Sequence, residues 1–196
     1  MIYQSLKFLA GQMNAYMEEV IQPSENLSNP IVILDNIANI DDENRDSTNN
    51  ILLTLINIYE EASMKNNPAS TLVNNELTRY QNPPVNLNLH LLLTSCMANY
   101  ELSLRYLSHA IAFFQGKKTF TRQNSFSDDT SLPDDLRLIL DLQTLSLEQV
   151  NNIWSTLGGK QKPFVCYKLR MVRIEKDSTL ETRGIITNIN LTESGI

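Results

Sequence analysis

Two histidines, two cysteines and a few small acid clusters are where side-chain chemistry would ordinarily begin in this sequence. His90 lies in an alternating run, Leu87-Asn88-Leu89-His90-Leu91, and His109 lies between Leu107 and Ile111 at helical spacing. Acid–base and metal sites need a second ligand close by, and neither histidine has another His or a Cys at ligand spacing. Both read as packing or surface residues. Cys96 and Cys166 are far apart and begin no C-x-x-C motif, so they read as buried, reduced thiols. Asp41, Asp42, Glu43 and Asp46 lack the alternating acids and the glycine of a calcium loop and read as a solvated loop. Glu60-Glu61 and Asp134-Asp135 are adjacent acids whose side chains diverge, which favours solvation. Gly116-Lys117-Lys118-Thr119 faintly suggests a phosphate loop, but it lacks the first glycine and follows a helix where a strand is needed. It reads as a helix end whose lysines complement the dipole; Gly158-Gly159-Lys160 reads likewise as a helix stop. No G-x-S-x-G elbow occurs. No catalytic, cofactor-binding or metal-binding residues are expected, and no cofactor.

What remains is the chemistry of contact. Lys168 and Arg170 share one face of an expected strand, and Arg173 lies on the other. Interfaces are enriched in arginine, so these three are candidates for contact with an acidic partner. The plainer reading is an exposed sheet face. Trp154 falls on an apolar helix face and reads as core.

The elements that must hold these residues follow from periodicity. Ile2, Leu6, Leu9, Met13, Tyr16 and Val20 form one face of a helix limited by Pro23. Ile31 to Leu34 is a short strand, and Ile51 to Tyr59 reads as a buried strand. The next twenty or so residues are polar around Asn66-Asn67-Pro68 and read as a long loop. Val85, Leu87, Leu89, Leu91 and Leu93 alternate with a second set, giving a strand with its leucines on one face. Asn99 is the expected cap of a helix from Tyr100 to Gln115, with Leu104, Leu107, Ile111 and Phe114 as its stripe. A short extended piece is expected around Phe120, and Leu136, Leu138, Leu140 and Leu142 mark another strand. Ser146-Leu147-Glu148-Gln149 is a capping box opening a helix whose apolar face is Leu147, Val150, Ile153, Trp154 and Leu157. Phe164 to Ile174 is a long strand, and Gly184 to Leu191 is expected to return as its hairpin partner. The expected class is α+β: a single domain, mainly antiparallel sheet with about three helices packed on one face and a C-terminal β-hairpin. The domain covers residues 1–174 and the arm residues 175–196.

Composition agrees. The chain has 196 residues, 42% hydrophobic and 19% charged, which suits a folded domain rather than a disordered one. Its formal net charge of −6 disfavours nucleic acid as a partner. No basic leader precedes an apolar core at the start, and no apolar run approaches the length of a bilayer span. Synthesis in the cytoplasm without a signal peptide is therefore expected.

Four stretches, in this order and spacing, resemble the cap or tail-terminator family of extracellular contractile injection systems. They are Met1 to Leu9, Ile51 to Glu61, Asn82 to Leu89 with Tyr100 to Gln115, and Leu145 to Trp154 followed by Leu157-Gly158. Pro163, Tyr167, Lys168, Leu169, Arg170 and Met171 continue the family's order. Phe114, Gln115, Trp154, Leu157, Gly158, Pro163, Tyr167 and Met171 are the signature positions. Gly159, Gln161 and Lys162 depart from the family's usual small residue and aromatic. The resemblance implies a hexameric ring of this chain closing the distal end of a tail. Its partners would be the sheath and inner tube proteins, with no nucleic acid, no membrane insertion and no reaction. It further implies a bacterial particle, released or anchored. The alternative is an adaptor or tail-completion subunit of a phage-tail-like assembly. Ile185, Thr187, Ile189 and Leu191 are the expected interface edge, and the loops 36–50 and 61–81 are expected contact loops.

Overall fold

A computed structural model describes residues 1–21, 30–39, 49–62, 70–73, 77–126, 133–158, 160–174 and 179–184. The described α-helices are α1 (Ile2–Val20), α2 (Tyr100–Gly116) and α3 (Leu147–Thr156). The described strands are β1 (Val32–Leu34), β2 (Asn50–Glu60), β3 (Ser70–Val73), β4 (Leu77–Gln81), β5 (Val85–Cys96), β6 (Thr119–Thr121), β7 (Arg137–Gln143), β8 (Phe164–Ile174) and β9 (Thr179–Gly184). The chain divides into two compact units, Met1–Glu60 with Leu87–Val172, and Glu61–Asn86 with Arg173–Ile196.

The first unit is built on a six-stranded sheet in the order β1-β2-β5-β8-β7-β6. β1 runs parallel to β2; β2 with β5, β7 with β8 and β6 with β7 pair antiparallel. β5 is interior to the sheet, and Leu89, Leu91, Leu92 and Leu93 are each 0% exposed. Alternation sends Leu89, Leu91 and Leu93 to one face and Leu92 to the other. The first face is covered by α1 and α2, through Leu9, Met13, Tyr106, Ala110, Phe113 and Phe114. The second is covered in part by α3, through Trp154 with Val150 and Leu157 around Leu52, Leu92 and Cys96. Each fully buried leucine contributes about 1.5–3 kcal/mol through the water it gives up.

Local signals start and stop the elements. Asn99 caps α2 by accepting from the Glu101 amide at 2.9 Å. The Ser146 hydroxyl accepts from the Gln149 amide at 3.2 Å, and Gln149 Oε1 accepts from the Ser146 amide at 2.9 Å, closing the capping box of α3. Gly158 takes φ +103°, the left-handed turn past the end of α3 that a side chain would strain. Asn14 on α1 accepts from the Val32 amide and donates to the Val32 carbonyl, both at 2.8 Å, so a side-chain amide stands in for a strand along β1.

The second unit holds a three-stranded antiparallel sheet in the order β3-β4-β9.

The α+β class, the three helices and most strand bounds agree with expectation. Four details differ. Residues 70–73 and 77–81, expected as loop, form β3 and β4. Their polar sequence carries no clear alternation, and pairing decides their state. The helices are not all on one face, because Leu92 alternates out of the leucine row and needs its own cover. The buried side of α2 is Ser103, Tyr106, Leu107, Ala110, Phe113 and Phe114, leaving Leu104 45% and Ile111 37% exposed. That helix is apolar around most of its circumference, so spacing alone does not choose a side. Leu147, expected on the apolar face of α3, is 90% exposed. The expected hairpin partner of β8 lies outside the described residues beyond Gly184, and the described strand there, β9, pairs with β4.

Leu91→Ala should lower the unfolding free energy by about 2–5 kcal/mol, and Ser146→Ala by about 1 kcal/mol through loss of the cap. Leu147→Ala should stay within about 0.5 kcal/mol of wild type. Urea unfolding of the three variants checks all of them; a large loss at Leu147 would contradict its exposure.

Candidate protein-interaction surface

Lys168 and Arg170 of β8 lie on the α3 side of the sheet, beyond the part that α3 covers. Lys168 sits over the Tyr59 ring of β2, 5.2 Å from its centroid. His90 of β5 meets the same ring edge-on at 5.1 Å. Burial, and then the nearby Lys168 ammonium, lower the His90 pKa below its ordinary value, so the imidazole is neutral at pH 7. Arg170 pairs with Asp141 of β7 at 2.7 Å, both side chains about 40% exposed. An ion pair this open contributes at most about 1 kcal/mol. The surface is thus a row across four strands: aromatic, imidazole, ammonium and a closed ion pair. Arg173 is exposed near the end of β8.

The first lysine of the Gly-Lys-Lys-Thr stretch is engaged elsewhere. Lys117 Nζ reaches Gln12 Oε1 at 3.5 Å and the Asn124 carbonyl, and lies 4.9 Å and 5.3 Å from the Phe120 and Phe126 ring centroids. Gln12 Oε1 also accepts from the Phe126 amide at 3.0 Å. The cluster ties the segment after α2 to α1, and partial burial lowers the lysine's pKa.

The signature residues form two packing clusters. Phe114 and Tyr167 meet at a tilt between α2 and β8, their ring centroids 4.8 Å apart. Trp154 meets Phe164 at 5.4 Å, with Leu157 beside them. The Pro163 carbonyl accepts from the Ser95 amide at 2.9 Å, where β8 begins beside β5. Gly158 makes the turn after α3, and Gln115 is exposed. Met171 lies in β8. Ile185, Thr187, Ile189 and Leu191 lie outside the described residues, as do 40–48, 63–69 and 74–76 of the expected contact loops.

Sequence reading missed Tyr59 and Asp141 as neighbours of the β8 cations. They are far away in the chain and are brought in by strand order alone. It also missed the exposed apolar residues: Tyr100 and Leu104 line a groove with Pro163 and Phe164, and Ile111 and Leu142 line another with Phe114 and Tyr167. Among the described residues, no three His, Cys, Asp or Glu side chains gather as a metal site would require, and no helix is long and apolar enough to cross a membrane.

Cys96 and Cys166 are both free and buried. Burial pushes the Cys96 thiol up to about 11, raises that of Cys166, and pushes the Tyr167 phenol up to about 12.

The family model described as the Pvc16 N-terminal domain matches residues 6–188. No curated protein matches the chain. A sheath/tube terminator in the extended state, from an extracellular contractile injection system termed PVC, superposes with a TM-score of 0.58 at 15% identity, over 97% of this chain and 65% of that one. The tube-terminating cap of the anti-feeding prophage superposes with a TM-score of 0.58 at 12% identity, over 94% of this chain and 60% of that one. At these identities the likeness is one of fold, and this chain spans less than two thirds of either neighbour's length.

Both thiols should resist an aromatic disulfide reagent at pH 8 and react fully once the protein is unfolded. The three raised groups are neutral in the folded state. Their contribution to stability is complete below pH 9.0, the unperturbed thiol value, and is lost as the pH rises through about 11 to 12. The melting temperature should therefore fall over that range, and a flat profile would show the groups to be more solvated than described.

Proposed function

Because the chain belongs to the Pvc16 N-terminal domain family, we propose that it is a structural cap of a contractile injection system, closing the distal end of the tube and sheath. The observation that carries this reading is the agreement of a family match over residues 6–188 with the fold of two tube-terminating proteins over nearly the whole chain. The work is binding work. A tube end offers a repeating surface that would accept another ring, and a terminator must bind that surface without presenting a copy of it. In this reading no bond is made or broken. A ring arises from head-to-tail contacts between identical subunits, and six is the number the family resemblance implies.

The contacts follow from the surfaces available. Lys168, Arg170 and Arg173 face an acidic partner on the sheath or tube, with Arg170 exchanging Asp141 for a partner carboxylate. The segment with Ile185, Thr187, Ile189 and Leu191 supplies a strand edge for a neighbouring subunit, and the loops 36–50 and 61–81 add recognition. Residues 175–196 act as an arm on the domain formed by residues 1–174. The particle acts outside the cytoplasm in which its subunits are made.

Removing the protein from a strain that assembles such particles should give tails of irregular length, imaged by electron microscopy. In complemented cells, the labelled protein should appear at the end far from the baseplate. Label along the tail or at a connector would favour an adaptor role. Normal tail lengths in its absence would overturn the cap. Deleting residues 185–196 should abolish capping while the remainder, with β9 intact, stays folded.

A further inference from the structure

We propose that Lys168, His90 and Asn57, gathered around the Tyr59 ring, seat a carboxylate from an acidic segment of a tail protein, and that His90 takes up a proton when the carboxylate binds. The inference deepens the acidic-partner contact proposed above and rests on that reading for the identity of the partner. The seat itself rests on the geometry of the first unit.

Strand order and register put the four residues together. Asn57 of β2 stands directly opposite His90 of β5, and Tyr59 opposite Asn88 is the next pair on the same face. β8 lies on the other side of β5. His90 meets the Tyr59 ring edge-on, 5.1 Å between centroids, and the Lys168 ammonium lies 5.2 Å from the same centroid. One ring thus brings an imidazole and a cation from two further strands to one place. That place is open to solvent. α3 covers this face around Leu52, Leu92 and Cys96. Asn57 is exposed, and Tyr59, His90 and Lys168 are half-buried.

What the four residues lack is a negative charge. Lys168 stands in register with Asp141, but Arg170 holds that carboxylate at 2.7 Å. The ammonium rests on Tyr59 instead, and a ring face compensates a cation only in part. Glu60, next along β2, stands opposite Leu87 and turns to the other face of the sheet. Asn57 Oδ1 already accepts from the Ile58 amide at 2.9 Å, so the polar group left on that side chain is its NH2 donor. A neutral imidazole offers one N–H, and a protonated one offers two. Ammonium, amide and imidazole together fit an anion with two acceptor oxygens, which is a carboxylate.

Proton uptake follows from the neighbours of His90. The titratable groups around it are Lys168 and Tyr59, with the Arg170–Asp141 pair beyond Lys168 and the buried, neutral Cys166 on the same face of β8. Burial, and then the Lys168 charge, keep the imidazole neutral at pH 7. A carboxylate between the two offsets the Lys168 charge and attracts a proton to the ring, which raises the His90 pKa. Between the free and the bound value, binding takes up one proton. Affinity is therefore greatest below the free value and falls as the pH rises through the bound value. A basic patch without the imidazole would respond to salt and not to the state of a histidine.

The test uses the full chain at low salt with three probes: a capped peptide of consecutive glutamates flanked by serines, its glutamine counterpart, and inorganic phosphate. NMR follows the imidazole signals of His90 and of His109, the control on α2. The glutamate peptide should move the His90 titration midpoint upward and bind about tenfold tighter at about pH 5.5 than at about pH 7.5. Lys168→Gln should weaken the peptide at least about fivefold at both pH values. His90→Gln should keep the affinity seen at the higher pH and lose the pH dependence. Lys168→Met and His90→Asn replace any variant whose circular-dichroism melt shifts. A peptide that does not bind, or that leaves the His90 midpoint in place, overturns the proposal. So does wild-type binding by folded Lys168→Gln, or equal binding of phosphate or the glutamine peptide. Self-association of the chain at the lower pH that Lys168→Gln abolishes would make a second copy the occupant, and overturns it too. Purified tail ends separate the two readings. Normal capping by Lys168→Gln sinks the seat and leaves the cap standing. A wild-type chain that binds the peptide but no tail end sinks the cap.

Discussion

The first unit depends on a strand that is dry on both sides. In β5, Leu91, Leu92 and Leu93 follow one another without exposure, so successive residues point to opposite faces and each face must be covered. A strand in an antiparallel sheet commonly leaves one face in water; this one does not. The requirement brings α1 and α2 to one side and α3 with Trp154 to the other. It also makes β8, the next strand in the sheet, the place where packing ends and surface begins. There Leu169 and Tyr167 serve the core, while on the other face Lys168 reaches Tyr59 of β2 and Arg170 pairs with Asp141 of β7.

The coverage is incomplete in a consistent way. α3 is only ten residues long and shields the sheet around Leu52, Leu92 and Cys96. Beyond it the same face carries Tyr59, His90, Lys168, Asp141 and Arg170, whose polar ends reach water while their bodies pack on the sheet. β1 is three residues long against the eleven of β2, and among the described residues it pairs only with Ile51, Leu52 and Leu53 of that strand. The thiols and the Tyr167 phenol are held neutral by burial, as packing groups are.

Much of this was legible in the residues themselves. Phe164 to Ile174 as a strand, the Ser146–Gln149 capping box and the Asn99 cap are local signals, carried within one turn of helix or one alternating run. The alternation of β5 placed His90 opposite the leucines. By contrast, the outer face of α2 was misassigned, because Leu104 and Ile111 are as apolar as Tyr106 and Phe113. β3 and β4 were invisible, since their state depends on each other and on β9.

By itself, the sequence determined where the helices start, which strands run long, and that the familiar catalytic and metal-ligand motifs are missing. These depend on contacts between residues near in the chain, whose energies are set by local periodicity and capping. Only the tertiary structure decided that Tyr59, His90, Lys168 and Asp141 share a surface, that Lys117 is held by Gln12, and that β2 outruns its neighbour. Such facts depend on strand order and register, and pairing energies between distant segments are not written in any one of them.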